Sequence, residues 1–541
     1  MALVPAPLLA GVLIAAVLAY AAYRAVCATP LRLAAFYRSR GVRGSPFVPV
    51  VGDMPRLRAA RARGGEWLHT FLADEIAAHG TVSYLFLGPE FRLRVADPGL
   101  ARGVLLTHAD AFVKPSLLRR MLGPLLGEGL LLAEGEVWRR HRRLMNPAFS
   151  HARLAAMVPL MGAAASSVVD RWLARGSGGA GSGGGVAVDM HHDLAAATLA
   201  IIGAAAFGMD LDAAEADGVY DALNALLGAS QSNVFMLTAF IPGYASLPTP
   251  ANRAMKRHIG HLRALLSAVI ANRRALRADP ATSPAPGDQI LLDALLDAHD
   301  EAAAPADAPA GDAASTAPPL PAAAAVARPP GAGLTDGELF DEAMTMVVAG
   351  HETTSQALCW TLLLLARHPE WQARVRAQVC SVLGDRTVPT AADLAAMPLL
   401  QAVLWEAMRL YPPAPVVVRT AARDVTMDDG FTVAAGTTVT IVIAAIHRLE
   451  SLWRDPDTFD PTRWADGLSG ALPHPYAFLP FSHGPRNCIG AVFAQQEARV
   501  ILAVMLRRLS VALAPSYIHA PEMTITLRPK YGMPMIVTPV P

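Results

Sequence analysis

The sequence predicts a mainly α-helical protein with small β-sheets, folded as one large domain. Three observations support this prediction. Apolar residues recur at helical spacing through most of the 541 residues. Runs rich in β-branched and aromatic residues are short and few. Outside two low-complexity stretches, no change of composition marks a domain boundary. The predicted strands lie in the following runs: 81–87, 91–96, 431–433, 437–443 and 523–527.

Composition limits the class of function. Lys and Arg number 46 against 45 Asp and Glu, for a net charge of +1, which excludes a chain-wide basic field, so no nucleic-acid partner is expected. A hydrophobic fraction of 53% excludes a mainly disordered protein. Four cysteines exclude a disulfide scaffold and suit a reducing compartment.

The N-terminal segment, residues 1–26, is predicted to be a membrane anchor. Residues 8–23 are uninterrupted and uncharged, and as a helix they span about 24 Å, close to the core of a bilayer. Five arginines follow between residues 24 and 43, with no acid before Asp53. The positive-inside rule then places the rest of the chain in the cytosol. A cleaved signal peptide is the alternative, although no Lys or Arg precedes the apolar run.

Residues 27–52 are predicted to be a basic, proline-rich linker, in which Pro46 and Pro49 form a stiff hinge. The catalytic domain is then expected at 53–541, with two flexible inserts. Residues 176–185 hold seven glycines in ten positions, and residues 302–330 hold fourteen alanines and seven prolines. A G-x-G-x-x-G match inside the first insert follows a helix end rather than a strand, so no phosphate-binding loop is predicted there.

The loop 481–490, with the sequence FSHGPRNCIG, carries the strongest chemical signal. Cys488 stands just before a predicted helix, where backbone N–H groups and the helix dipole favour a thiolate. Arg486 can pair with an anion on the same side. A lone thiolate suits a single axial bond to a metal, whereas zinc would need four ligands. The alternative is a buried structural cysteine.

A second signal is Glu406 and Arg409, three positions apart on a predicted helix that stops before Pro412. Their neighbours are apolar, so we expect the pair to be buried. A buried pair needs further partners, and Arg463 is the candidate. The alternative is an ordinary surface salt bridge.

A third signal lies within a long helix predicted from about Thr335 to about Arg367, which begins with a capping box. Gly350 costs stability at mid-helix and therefore suggests room for a ligand. Glu352 and Thr353 then place an acid beside a hydroxyl, as proton delivery requires. In the alternative interpretation, Thr353 simply bonds the carbonyl four residues earlier.

The segment 138–143, with the sequence WRRHRR, is the fourth signal. Trp138 and Arg142 share one helix face, which suits an anion. Arg139, Arg140 and Arg143 spread onto other faces, one of which suits an acidic partner protein. The alternative is a solvated basic face.

These four motifs in this order resemble the cytochrome P450 superfamily of haem-thiolate monooxygenases, over about residues 46–541. The fixed positions of FxxGxRxCxG, ExxR, AGxET, WxxxR and PxRW are all present. With its predicted anchor, the chain looks like the eukaryotic microsomal type. AGHETT and the cysteine loop are similar to the clans of fatty-acid hydroxylases and plant-type terpenoid or hormone oxidases.

The resemblance implies haem b as cofactor, with Cys488 as the thiolate ligand of the iron. Thr353 with Glu352 would relay protons. Glu406, Arg409 and Arg463 would form a structural network behind the haem. The remaining haem-binding residues implied by the resemblance are Trp138, Arg142, Arg419 and Arg486 at the propionates, with Phe481 and Gly490 beside the thiolate.

The resemblance also implies the reaction and the partners. One atom of O2 would be inserted into a lipophilic small molecule of the fatty-acid, sterol or terpenoid class. Electrons would come from a separate NADPH-cytochrome reductase, with cytochrome b5 as a further candidate partner. The protein would be a single-pass protein of the endoplasmic reticulum membrane with a cytosolic catalytic domain. Alternatives are a haem-thiolate hydroperoxide isomerase or dehydratase, and a non-catalytic haem-binding protein.

Overall fold

The computed structural model describes residues 23–177, 185–209, 213–229, 243–282, 290–303 and 333–540, together with Val17, Tyr20 and Ala21. Most of the predicted anchor and most of both predicted inserts lie outside these residues. Two described helical stretches, His151–Arg175 and Met190–Phe207, are long and apolar enough to cross a membrane by length and composition. The second is 72% buried within the protein, as a core helix would be.

The domain is mainly helical, as predicted. In chain order the α-helices are α1 (Thr29–Arg38), α2 (Met54–Ala62), α3 (Trp67–His79), α4 (Pro98–Arg102), α5 (Ser116–Leu126), α6 (Gly135–Met145), α7 (His151–Ala156), α8 (Val158–Ser177), α9 (Met190–Phe207), α10 (Ala213–Ala229), α11 (Pro250–Ala278), α12 (Leu291–Ala303), α13 (Asp336–Arg367), α14 (Pro369–Leu383), α15 (Ala391–Ala395), α16 (Pro398–Leu410), α17 (Ile443–Ile446), α18 (Gly467–Ala471) and α19 (Ala491–Arg508).

The strands form small sheets at the edges of the helical body. They are β1 (Arg43–Gly44), β2 (Val82–Leu87), β3 (Glu90–Val95), β4 (Phe112–Val113), β5 (Val186–Asp189), β6 (Val417–Ala421), β7 (Val425–Thr426), β8 (Thr432–Val433), β9 (Thr438–Ile441), β10 (Leu509–Leu513), β11 (Pro521–Met523), β12 (Leu527–Pro529) and β13 (Pro534–Pro539). The largest sheet has the order β1-β2-β3-β9-β6-β4, a second has the order β10-β13-β5, and β11-β12 and β7-β8 are two-stranded.

Four of the five predicted strand runs are confirmed to within two residues, but the run 523–527 is wrong. It is the turn of a hairpin between β11 and β12. The Thr524 amide and hydroxyl both donate to the carbonyl of Thr526, at 2.8 and 2.9 Å. This local bonding folds the chain back on itself, so the alternation of Thr and Ile at 524–526 marks a turn.

Helix α13 crosses the centre of the domain and organises the site. Its capping box is present as predicted, because the Thr335 side chain and Glu338 bond each other's backbone N–H groups. At Gly350 the close neighbour that the structure shows is another helix. A Cβ atom there would lie 3.0 Å from the side chain of Ile202 on α9, so this glycine lets two core helices approach closely.

The segment 27–52, predicted as a linker, packs on the domain over part of its length. Within it, α1 and β1 are formed. Tyr37 is fully buried, stacks on Phe91 at 5.3 Å between ring centroids, and its hydroxyl lies 2.9 Å from the hydroxyl of Thr437. These contacts join α1 to the largest sheet.

Candidate active site

The loop before α19 holds Cys488 in a fixed turn. The Cys488 amide donates to the carbonyl of Phe481 at 3.0 Å, and the Asn487 amide donates to Gly484 at 3.1 Å. Gly484 has φ +76°, and a Cβ atom there would overlap the carbonyl oxygen of Leu105. This position therefore needs glycine for both its backbone conformation and its space.

The Cys488 sulfur lies at the N-terminal end of α19. Burial among protein atoms is the main influence and raises the pKa of the thiol, while a hydrogen bond from the Gly490 amide and the charge of Arg142 oppose it. The residue as a whole is nevertheless exposed, which leaves it accessible to a ligand. A thiol in these surroundings becomes a stable thiolate when a metal ion binds its sulfur directly.

Helix α6 braces this loop. Arg142 donates to the backbone carbonyl of Asn487 at 2.8 Å and to its side-chain oxygen at 2.9 Å. Trp138 lies on the same helix, one turn earlier, and its ring packs under the guanidinium of Arg486 at 4.0 Å. The structure thus joins the motif of Trp138 and Arg142 to the cysteine loop.

Buried cations gather beside this face. Arg486 donates to the carbonyl of Ala133 at 2.7 Å and pairs with Glu134. The Arg419 side chain is 6% exposed. Burial, followed by repulsion from Arg486, lowers the pKa of Arg419 to about 10. Two strands hold Arg419 in place, because it lies on β6 opposite Val439 of β9.

Sequence reasoning missed a third cation, Lys114. Burial, and then Arg419 and Arg486, lower the pKa of this lysine well below its ordinary value. Glu134 is the carboxylate whose charge favours the protonated form of all three basic groups. One of its oxygens accepts a hydrogen bond from Arg486, and the other accepts one from the backbone amide of Lys114. Three crowded basic groups with one carboxylate among them fit a ligand with two carboxylates, such as haem with its two propionates, because such a ligand would favour their protonated forms. The sequence feature that could have revealed Lys114 is its position as the one charged residue of the apolar stretch 111–117.

On α13, Glu352 and Thr353 are adjacent but bond to different partners. The Thr353 hydroxyl donates to the carbonyl of Ala349 at 2.9 Å, as in the alternative interpretation of this residue. Glu352 accepts a hydrogen bond of 2.7 Å from the hydroxyl of Thr526, in the turn between β11 and β12. Consecutive helical residues point about 100° apart, which explains the divergence.

The predicted network of Glu406, Arg409 and Arg463 is present, and its core is fully buried. Arg409 binds both oxygens of Glu406, at 2.8 and 2.9 Å, and donates to three backbone carbonyls. Arg463 lies 3.3 Å from Glu406, as predicted. Trp464, to which the sequence assigned no role, donates to Glu406 at 3.0 Å. Every donor of Arg409 is therefore satisfied, as a buried ion pair requires.

His447 connects this network to the cysteine loop and was also missed. Its Nε2 accepts from the Leu479 amide at 2.7 Å, and its Nδ1 lies 3.2 Å from the Arg409 carbonyl. Burial, and then the charge of Arg409, lower the pKa of His447 to about 3. The imidazole is therefore neutral, which its acceptor nitrogen requires.

A helical fold, an exposed cysteine just before a helix and a cluster of basic groups suited to two carboxylates together fit one class of protein: those that hold haem through a cysteine thiolate. The family model for cytochrome P450 matches residues 42–534. The chain belongs to the cytochrome P450 family and is a P450 monooxygenase. The family implies a haem with a cysteine thiolate ligand, a redox partner, O2 and a small-molecule substrate.

Curated relatives and a solved structure agree with this assignment. Cytochrome P450 734A2 from Oryza sativa subsp. japonica is 32% identical over 527 residues, covering 94% of this chain and 90% of that protein. Cytochrome P450 72A11 from Arabidopsis thaliana is also 32% identical, covering 94% and 93%. The crystal structure of the cytochrome P450DA heme domain aligns with a TM-score of 0.73 at 24% identity, covering 92% of this chain and 98% of that chain. This last likeness shows the fold.

Proposed function

We propose that the protein is a membrane-anchored monooxygenase that inserts one atom of O2 into a lipophilic small molecule of the fatty-acid, sterol or terpenoid class. Its cofactor would be haem b, with Cys488 as the protein ligand of the iron. The carrying observation is Cys488, an exposed residue just before α19 in a loop that is held by the Phe481 carbonyl and by Arg142. When bound, the haem supplies the chemistry that activates O2, and the thiolate favours cleavage of the O–O bond.

The chain's own residues have separate tasks in this proposal. Trp138, Arg142, Arg419 and Arg486 would hold the propionates, and Lys114 would join them. Arg142 and Trp138 also contact the cysteine loop from α6. Phe481 and Gly490 shape the surroundings of the Cys488 sulfur. The backbone carbonyl of Phe481 accepts a hydrogen bond from the Cys488 amide, and a Cβ atom at residue 490 would come within 3.9 Å of the Cys488 Sγ.

Thr353 would hold a proton at its hydroxyl oxygen, and Glu352 would supply protons to the site. Glu406, Arg409 and Arg463 do not touch the substrate; they stabilise the fold behind the haem.

Electrons would come from an NADPH-cytochrome reductase, with cytochrome b5 as a further partner. A basic surface on α6 supports docking of an acidic partner. Arg139 and Arg143 are exposed there, but Arg140 turns inward, pairs with Glu338 and donates to the carbonyl of Gly333 at 2.8 Å. The docking surface therefore comprises Arg139 and Arg143 without Arg140. Anchoring by residues 1–26 would place this face in the cytosol, at the endoplasmic reticulum membrane.

The test is the absorption spectrum of the reduced, CO-bound protein. A thiolate ligand shifts the Soret band far to the red, and we expect this shift in the unchanged protein and its loss in Cys488→Ser. Cys380→Ser is the matched control, because Cys380 is another free cysteine, on α14, and this variant should keep the shift. An unshifted band in the unchanged protein would contradict the proposal.

Two further measurements address the substrate and the reaction. A panel of fatty acids, sterols and terpenoids is screened for changes of the haem spin state on binding. Compounds that bind are then incubated with O2, NADPH and a reductase, and we expect one oxygenated product for each NADPH consumed. Conversion of a hydroperoxide without NADPH would instead identify an isomerase or dehydratase.

A further inference from the structure

A stacked pair of aromatic rings joins α13 to the end of α16. The indole of Trp360, on α13, lies 4.7 Å from the ring of Tyr411 between centroids, and the two ring planes differ by 13°. Trp360 is fully buried, and Tyr411 is 4% exposed. The indole Nε1 donates to the carbonyl of Leu527 at 2.8 Å. Indole and phenol are the aromatic side chains that lose an electron most readily, and here they touch inside the core.

The Tyr411 hydroxyl begins a chain of hydrogen bonds. It donates to Oε1 of Glu66, the residue just before α3. The same oxygen lies 2.7 Å from Nε2 of His519, and Nδ1 of His519 lies 2.8 Å from the hydroxyl of Tyr517. Because a carboxylate only accepts, Nε2 carries the proton of a neutral imidazole and Nδ1 accepts from Tyr517. Two tyrosine hydroxyls are therefore connected through one carboxylate and one imidazole.

This chain leads from the core to the surface. The side chain of Glu66 is 35% exposed, and Tyr517 is half-buried between the exposed residues Ser516 and Ile518. Burial acts to raise the pKa of Glu66, but the hydrogen bond from His519 and the other polar neighbours outweigh it and lower that pKa to about 2. Glu66 is thus a carboxylate at neutral pH. A phenol that has lost an electron is a strong acid, so even this weak base takes its proton.

Trp360 also lies on the same helix as Thr353 and on the same side of it. Seven residues separate the two, which makes two turns of α13 and about 10 Å along its axis. Seven steps of about 100° bring the side-chain direction back to within about 20°. Electron transfer needs no contact between donor and acceptor. Since the proposed function places Thr353 at the reaction site, Trp360 is an oxidisable ring two turns along the helix from that site.

We propose that Trp360 and Tyr411 form a path that returns an electron to the haem site when its oxygen chemistry finds no substrate, with Glu66 taking the Tyr411 proton. The inference rests on the proposed function. Its consequence is protection: an oxidising equivalent that would otherwise damage the cofactor moves to a tyrosine near the surface, where a soluble reductant removes it.

Electrons and protons balance at each step. Trp360 gives one electron to the haem site and keeps its N–H proton, because an amide carbonyl is too weak a base to take it. Tyr411 then gives one electron to Trp360 and its phenolic proton to Glu66, which leaves a neutral tyrosyl radical. Tyr517 gives its electron to Tyr411 and its proton to Nδ1 of His519, while Glu66 returns its proton to Tyr411. A soluble one-electron reductant of the ascorbate class finally reduces Tyr517, which regains its proton from His519.

The first test is electron paramagnetic resonance of the haem-loaded, full-length protein, frozen rapidly after hydrogen peroxide is added without substrate. Peroxide supplies the oxidant directly, so no reductase is needed. We expect a tyrosyl radical in the unchanged protein and its loss in Tyr411→Phe. Tyr37→Phe is the matched control, because Tyr37 is also buried and stacked, on Phe91, but its hydroxyl bonds a hydroxyl rather than a carboxylate. A tyrosyl signal of equal size in Tyr411→Phe would overturn the proposal.

Glu66→Gln separates proton transfer from packing. The amide oxygen of glutamine still accepts a hydrogen bond from Tyr411, but it cannot take a proton. A merely structural Glu66 would therefore tolerate this change, whereas the proposed path predicts that a tryptophan radical persists in place of the tyrosyl radical. Trp360→Phe should show neither signal. Glu66 is partly exposed, so this variant decides the question if Tyr411→Phe fails to bind haem. Normal formation of the tyrosyl radical in Glu66→Gln would contradict the path.

Loss of haem absorbance under peroxide measures the consequence. Bleaching should be faster in Tyr411→Phe and Glu66→Gln than in the unchanged protein or Tyr37→Phe, and ascorbate should slow it only where the path is intact. The CO spectrum is recorded first for every variant. Variants that retain the red-shifted band and bleach at the unchanged rate would refute the path while leaving the proposed function intact. An unshifted band in the unchanged protein would refute the proposed function itself.

Discussion

Replacing Trp464 with Phe isolates one hydrogen bond to the buried Glu406 carboxylate. The indole Nε1 donates to Glu406 at 3.0 Å, and both side chains are buried. A hydrogen bond to a charged group contributes about 1.5–3 kcal/mol to the free energy of unfolding. The smaller ring adds about 1 kcal/mol through lost packing, here against Trp453 and Phe478. Glu406 keeps its bonds from Arg409, so the fold survives and the total cost is about 2.5–4 kcal/mol.

A matched control is available in the same cluster. Trp405 packs against Trp464, with 5.6 Å between ring centroids, and its Nε1 donates to the neutral amide of Gln495 at 2.9 Å. Trp405→Phe removes the same atoms but a bond between neutral groups, which contributes about 0.5–1.5 kcal/mol. We therefore expect Trp464→Phe to cost about 1 kcal/mol more than Trp405→Phe.

Urea unfolding of the two haem-loaded variants, followed by circular dichroism, measures this difference. The slope against urea should stay constant, so that the midpoint reports stability. Equal midpoints for the two variants would refute the reasoning that the charge of Glu406 strengthens the Trp464 bond. A midpoint for Trp464→Phe equal to that of the unchanged protein would mean that this bond contributes nothing.

Three further predictions concern the loop, the pH response and the partner. Gly484→Ala should abolish haem incorporation, measured as haem per protein, because its Cβ atom overlaps the carbonyl of Leu105; near-normal incorporation would contradict the turn described. The pKa of Glu66 is lowered to about 2, because hydrogen bonds and a nearby histidine outweigh burial. Its contribution to stability should therefore vanish as pH falls from about 4.5 to 2, and Glu66→Gln should remove this part of the acid response. Arg139→Glu with Arg143→Glu should slow reduction by the reductase and weaken its salt dependence; unchanged stopped-flow rates would exclude this surface.

The buried ion pair shows what a single sequence predicts well. The spacing of Glu406 and Arg409 fixes their contact on one helix, and the apolar residues around them indicate burial. The contact of Arg463 with Glu406 could also be predicted, because a buried ion pair needs further hydrogen-bond donors. The hydrogen bond from Trp464 to Glu406 could not be predicted, because it depends on how the turn Pro461–Trp464 approaches α16. That approach is a tertiary contact with no periodic signature.

Gly350 shows that a glycine within a helix predicts a close neighbour without identifying it. A glycine within a long helix indicates that something comes close, since it otherwise costs about 1 kcal/mol. What comes close is Ile202 on α9, a residue almost 150 positions earlier in the chain. The neighbours of Lys114 could not be predicted either, because its cluster with Arg419 and Arg486 joins three segments that are distant in sequence.

The pair of Glu352 and Thr353 marks where adjacency in sequence misleads. Neighbours on a helix face different directions, so an acid next to a hydroxyl cannot be assumed to touch it. The directions are set by their partners: Thr526 draws the Glu352 carboxylate towards the β11–β12 turn, while the Thr353 hydroxyl bonds the carbonyl of Ala349 on its own helix. Neither contact has a periodic signature in the sequence, so the motif predicts which two residues stand together but not what each of them bonds.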